Sequence, residues 1–372
     1  AVQTRNPDLP PIFGFAMLRA FVFLLVVAIS WCLKVQELHD FGKVAATGLC
    51  KLPGLAPIVS FPKWGDAMMP DQPKMALAYV RDGKVHPFLG VESIDAVANG
   101  DPKKQVVSAQ ALFCPPDDVK DRLLYVLDSG HGPKETELHE GAAKLLKIEV
   151  NEDGTGGKIK KTYTFDKDVV PNGSFLNDVR IGKSFAYITD SNRGAIVILD
   201  LFNGEAAVWK DDRSMQPQLD DGEDFLIGSK NLSSFMVSVD GIAYSSHDDM
   251  LYFKPVTRSH LYRINAGIVR VAFKDKMLHM IGDAVEDMGV VGFHDGLDAD
   301  SRGHVYLTDL SKGAIQRRGV DGRMSHITDL NSMSWPDCVI AAEGSLYVLT
   351  TQVHLMPFMN NGEDLRKGGN KL

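Results

Sequence analysis

Short apolar runs, some alternating with polar residues and some continuous, recur along this chain and are separated by turns rich in glycine, asparagine and aspartate. That pattern predicts β-strands joined in antiparallel hairpins. One strand is written six times, at 58–61, 124–128, 186–190, 251–254, 305–309 and 346–350. The last five copies carry a tyrosine, and these tyrosines fall 41 to 65 residues apart, the period of propeller blades with inserted loops. The repeat unit is clearest from 174 to 211, where strands are predicted over 177–181, 184–190, 195–201 and 205–210 with tight turns between them. The expected fold is all-β: a six-bladed β-propeller of four-stranded antiparallel blades, almost without helix. The tyrosine strand is second in each blade and buried between neighbours, so its tyrosines are core.

Residues 38–366 are assigned to the propeller, and the basic, glycine-containing tail 367–372 is expected to fray. Residues 1–16 read as a disordered upstream extension. Met17-Leu18-Arg19, the uncharged run 20–33 and Lys34 read as a secretory signal peptide at 17–34, or as a signal anchor if the apolar run is counted back to Ile12. The expected location is extracellular, with membrane contact only through an uncleaved anchor. In that setting a disulfide is permitted, and Cys50 with Cys114 is the expected pair because they belong to neighbouring blades, with free buried thiols as the alternative. The sequons at Asn172 and Asn231 suit surface loops of a secreted protein.

Charge narrows the partners. A net charge of −8 with scattered lysines offers no basic stripe, which argues against nucleic acid. The acidic run in the polar stretch 211–234 reads as a solvated loop, with calcium chelation the sharper alternative. The more informative polar residues precede each tyrosine strand at a nearly fixed distance: Asn177-Asp178, Asp240-Gly241, His294-Asp295-Gly296 and Trp335-Pro336-Asp337, with Gln110 as the second blade's contribution. Four blades thus send a carboxylate or amide to one end of the ring. Converging carboxylates repel unless a cation, a cationic ligand, a shared proton or hydrogen-bond donors compensate them. They can therefore hold calcium, clasp the amine of a small aromatic ligand, or act with His294 as acid and base. Turn chemistry at each Asp-Gly is the plainer explanation, but four blades in phase favour a site. No nucleophile elbow, phosphate loop or zinc motif is present.

Residues 174–180, 186–191, Asp240-Gly241-Ile242-Ala243, Trp335-Pro336-Asp337 and Gln352-Val353-His354 together resemble the yellow/major royal jelly protein family, over about 41–366. The likeness is strongest to its microbial members described as dopachrome-tautomerase-related. The resemblance implies a secreted six-bladed propeller that binds a small ligand of the aromatic amine, indole or catechol class at the channel mouth. No cofactor is required. A dopachrome-converting isomerase of this kind would use His294 and Asp190 or Asp295 for proton transfer and Asn177 as hydrogen-bond donor. The other ligand contacts would come from Gln110, Asp178, Asp240 and Asp337. More distantly, Asn177, Asp240 and Asp295 resemble the metal positions of gluconolactonase-type propellers, which implies calcium-dependent lactone hydrolysis as the alternative. Asp240 stands where that family usually has Asn, and its first-blade Glu has no counterpart here. A non-enzymatic extracellular binding protein is the third reading.

Overall fold

The computed structural model describes residues 35–64, 72–97, 99–115, 121–131 and 137–372. The segment 17–34 expected to be a signal peptide or anchor and the expected extension 1–16 lie outside these. Among the described residues, no helix is long and apolar enough to cross a membrane.

The strands form a β-propeller with four-stranded antiparallel blades. The first blade is β1 (Gly48–Cys50), β2 (Ile58–Ser60), β3 (Leu77–Arg81) and β4 (Lys84–Pro87). The second is β5 (Ala109–Phe113), β6 (Leu123–Asp128), β7 (Lys144–Val150) and β8 (Gly157–Thr164). The third is β9 (Leu176–Gly182), β10 (Phe185–Asp190), β11 (Ala195–Asp200) and β12 (Ala206–Trp209). Its strand bounds lie within a residue or two of those read from the sequence. A short helix, α1 (Asp212–Met215), and a small hairpin of β13 (Leu226–Ile227) and β14 (Lys230–Asn231) precede the fourth blade. That blade is β15 (Val239–Ser245), β16 (Met250–Pro255), β17 (His260–Asn265) and β18 (Glu286–Val290). The fifth is β19 (His294–Ala299), β20 (Val305–Asp309), β21 (Ala314–Arg318) and β22 (Met324–His326). The last sheet has two strands, β23 (Pro336–Ala342) and β24 (Ser345–Thr350).

Each repeated strand of the sequence is second in its sheet, and Tyr125, Tyr187, Tyr252 and Tyr306 are buried as expected. The first strands β1, β5, β9, β15, β19 and β23 contact one another in that order, and β23 returns to β1, so they line a closed ring.

Three features depart from the sequence reading. The connection between β17 and β18 carries a helix, α2 (Ala266–Lys274), capped by the Asn265 side chain, which accepts from Gly267 N at 2.9 Å. It forms because Val269, Ala272 and Phe273 fall on one buried face at helical spacing. Second, the sixth copy of the strand pattern sits in a two-stranded sheet, where a four-stranded one was expected. Third, the tail is not frayed. Thr350 N donates to Lys371 O at 3.0 Å, and Leu372 pairs with the chain's other end through Leu38 N at 2.7 Å and His39 O at 3.0 Å. The positions outside β24 are thus taken by segments from both ends of the chain.

A disulfide joins Cys50 on β1 to Cys114 just beyond β5, with Cα atoms 5.5 Å apart. Cys338 is a free thiol.

Candidate functional site at the ring axis

The first strands come unusually close at the axis, and glycine makes this approach feasible. A Cβ on Gly241 would lie 2.1 Å from Asp295 O, and one on Gly296 would lie 2.3 Å from Asp337 O. Both glycines are in extended strand conformation, so the Asp-Gly pairs are not turns; glycine follows aspartate because the next blade's backbone occupies the side-chain position.

The aspartates beside these glycines face a cavity of about 30 Å³, room for a small ion or about one or two waters. It is lined by Gln110, Asn177, Asp178, Asp240, Asp295 and Asp337, with Thr47 just before β1, Gly48 from β1 and Cys338 from β23. The structure therefore gathers every residue expected to bind ligand. Asn177, Asp240 and Asp295, the metal positions implied by resemblance, are also together, while among the described residues the first blade contributes no carboxylate to the lining.

Neutral donors hold each carboxylate on one side only. Asp240 Oδ2 accepts from Ser191 Oγ at 3.1 Å and from Asn177 Nδ2. Asp295 Oδ2 accepts from the Trp335 indole at 2.7 Å, and Asp337 Oδ2 from Thr351 Oγ1 at 2.8 Å. No described residue donates to the Oδ1 atoms of these three. A second chain of bonds leads in from the first blade: the Trp64 indole donates to Gln110 Oε1 at 2.8 Å, and Gln110 Nε2 donates to Asn177 Oδ1 at 2.7 Å.

Arg180 is the site's fixed cation. Its Nη1 donates to Asp178 Oδ1 at 2.7 Å, while Nε reaches Asp298 Oδ1 at 3.2 Å and Nη2 reaches Leu297 O. One side chain thus ties the third blade to the fifth across the channel. Burial opposes its charge, but Asp178 and Asp298 outweigh that and raise its pKa.

The remaining acids are undercompensated. Burial, then Asp295 and Asp178, pushes Asp240 well above the usual carboxylate range; burial, then Asp295, does the same to Asp337. Burial raises Asp295 to about 7, against the Trp335 hydrogen bond and with help from Asp178. Lys254, fully buried on β16 opposite Gly241, is lowered to about 7 by burial, although Asp295 and Asp240 favour its charge.

His294 and Asp190, two of the three proposed proton-transfer residues, do not line the cavity. The His294 ring is buried on the opposite face of β19 from Asp295, with Nδ1 3.0 Å from Gly292 O and Nε2 2.9 Å from the Gln316 amide. Burial, then Lys254, lowers its pKa to about 3 and keeps the ring neutral. Asp190 ends β10 and accepts from Phe175 N at 2.9 Å and Arg193 N at 3.2 Å. Asp128 does the same at the end of β6, accepting from Val107 N and Ser108 N at 2.8 Å each. The aspartate that closes these tyrosine strands is a loop clamp.

An apolar cover lies where the first strands begin. Phe225 stacks on Phe293 with centroids 4.5 Å apart, and Trp335 stacks on His354 at 5.8 Å. Leu232, Met356 and Trp64 join the same cluster. The 211–234 stretch contributes to it: Phe225 is buried, and Lys230 Nζ donates to His354 O at 2.7 Å and Met359 O at 2.9 Å. Its acidic residues Asp220, Asp221 and Asp224 remain exposed, as a solvated loop requires. The sequon residues Asn172 and Asn231 are exposed as well.

The sequence model of the major royal jelly protein family matches residues 118–344. The chain belongs to that family. No curated protein sequence matches it significantly. Among solved structures, a luciferin-regenerating enzyme is 10% identical with a TM-score of 0.51, over 89% of this chain and 91% of that one. A Bacteroides thetaiotaomicron protein of unknown function is 12% identical with a TM-score of 0.50, over 91% and 70%. Virginiamycin B lyase from Staphylococcus aureus is 14% identical with a TM-score of 0.46, over 86% and 82%. At such identities the likeness concerns the fold alone.

Proposed function

We propose that this family member is a secreted, six-bladed propeller that binds a small ammonium-bearing ligand of the aromatic amine, indole or catechol class at the axial cavity. The strands β23 and β24 count as the inner half of the sixth blade, its outer positions filled by the two chain ends. The observation that carries the reading is the set of three carboxylates at the cavity, buried Asp240 and half-buried Asp295 and Asp337, each held by neutral donors through Oδ2 and with Oδ1 left over. Such a group is stabilised by a cation that brings its own hydrogen-bond donors. The cavity has room for an ammonium group, so the aromatic body of the ligand would lie outside it, against the half-buried Trp64.

If the protein also converts its ligand, the acid and base are drawn from Asp240 and Asp295. Two interacting carboxyls with raised pKa values suit proton transfer near neutrality better than a buried neutral imidazole. Isomerisation then ranks before lactone hydrolysis.

Calorimetry with catecholamines, indoleamines and small lactones, followed by turnover assays on each ligand that binds, tests the reading. Amines should bind, and Asp295→Asn should weaken them by roughly 2–4 kcal/mol, as expected for a desolvated, paired charge. Binding of lactones but not amines, or of neither, would overturn it.

A further inference from the structure

We infer that Trp64 and Gln110 set the ionic selectivity of this cavity: they hold the Asn177 amide with its nitrogen toward Asp240 and so exclude a hard divalent cation. The inference rests on the proposed ligand site. Three hydrogen bonds in series acquire their direction from one group. An indole N–H can only donate, so the oxygen of Gln110 must face Trp64, at 2.8 Å. The Gln110 NH₂ therefore faces Asn177 Oδ1, at 2.7 Å. The Asn177 NH₂ is left to donate to Asp240 Oδ2.

Calcium takes roughly 6–8 oxygen ligands, and the Asn177 carbonyl is the one this position would supply. Here that oxygen is turned onto Gln110, and the Asn177 NH₂ donates to Asp240, so the position offers a donor where calcium needs an oxygen. Among the described residues, moreover, no three acidic, histidine or cysteine side chains are close enough together to hold a metal ion. The donor set does not fit calcium. It does fit an ammonium group, which needs only acceptor lone pairs on Asp240, Asp295 and Asp337.

Calcium chloride is the probe, at matched ionic strength, with thermal unfolding and calorimetry on the full chain as readouts. Wild type should show no calcium-dependent rise in Tm. Gln110→Glu should reverse the chain: an ionised Glu has only acceptors, so one oxygen keeps Trp64 and the other draws the Asn177 NH₂, turning its carbonyl toward Asp240. Calcium affinity should then rise by about 10-fold or more, and the gain should vanish in Gln110→Glu combined with Asn177→Ala, which keeps the added charge. Trp64→Phe, which changes no charge, should give a smaller gain in the same direction and decides the question if Gln110→Glu does not fold. Asn177-dependent calcium binding by wild type would overturn the inference. So would folded variants without any gain, or a gain that survives loss of Asn177. Amine calorimetry on wild type reads the ligand site separately: a calcium gain without amine binding sinks only the proposed function, and amine binding without a gain sinks only the selectivity.

Discussion

At the scale of single residues, Asp295 shows how burial converts a side chain into a pH sensor. Its folded pKa is raised to about 7 from 3.8, so between these values the folded chain holds a proton that the unfolded chain has released. Its contribution to stability is complete below the unfolded value, falls as pH rises toward 7 and is flat beyond. Asp295→Asn lacks this fall, and the Trp335 indole keeps an oxygen to donate to. The variant's stability relative to wild type should therefore climb from pH 4 to 7, by on the order of 2–4 kcal/mol, shared with Asp240 and Asp337 because the three titrate together. Urea unfolding at several pH values measures it, and a constant difference would refute the assignment. Arg180 offers a test with the opposite logic. Arg180→Met leaves Asp178 and Asp298 buried without their cation and should cost about 3–5 kcal/mol in the same assay. An effect below about 1 kcal/mol would show that the acids simply take up protons. The gathering of Asp178, Asp240, Asp295 and Asp337 was legible because each lies at a nearly fixed distance before a tyrosine strand. His294 was misplaced although period two, by which strand neighbours face opposite ways, argued against pairing it with Asp295; the register shift between His294 and Leu297 loosens that rule without bringing the ring to the cavity. Arg180 and Trp64 gave no signal of their own, since Arg180 meets a residue 118 positions away and Trp64 one 46 away.

At the scale of elements, the first strands determine what the axis can hold. Glycine after aspartate lets β15 approach β19, and β19 approach β23, while the aspartate beside it reaches the cavity. Gly241→Ala would put a methyl group 2.1 Å from the Asp295 carbonyl oxygen, a backbone atom that cannot swing away. The expected cost is about 3 kcal/mol, at the upper end for overpacking, together with weakened ligand binding as Asp240 and Asp295 are forced apart. Gly344→Ala is the control: it has a positive φ but nothing within 4 Å of the added carbon, so it should carry only the backbone strain, about 1 kcal/mol. Equal losses in the two variants would mean that the close approach is not what selects glycine. The strand repeat itself was readable from alternation and turn residues. The helix Ala266–Lys274 was not, because a nine-residue insertion with four buried apolar positions is too short to stand out from the surrounding strand pattern.

For the whole molecule, ring closure is the property that no local pattern encodes. The sheet of β23 and β24 would end in an open edge, and both chain ends cover it: Asn370 N donates to Gly42 O at 2.8 Å, Phe41 N to Asn370 O at 2.7 Å, and Thr350 N to Lys371 O at 3.0 Å. Asn370 is fully buried, and its side chain donates to Val44 O at 2.9 Å and accepts from Gln352 Nε2 at 3.1 Å. Leu372 packs with Phe41, Leu49, Val59 and Leu349, so the same three residues that close the edge also complete the core between the first and last sheets. A sequence reading that treats 367–372 as a basic tail misses this, because partners such as Val44 lie more than 300 positions away. Ending the chain at Gly369 should therefore destabilise the whole propeller rather than trim a loose end. Six backbone hydrogen bonds and one buried leucine are lost, which places the loss at several kcal/mol, with Asn370→Ala alone costing roughly 1–3 kcal/mol. Thermal unfolding of the two variants beside the full chain is the measurement. A truncated protein that melts within about 1 °C of the full one would place closure of the ring in the contacts between β23 and β1 and leave the terminal strands as decoration.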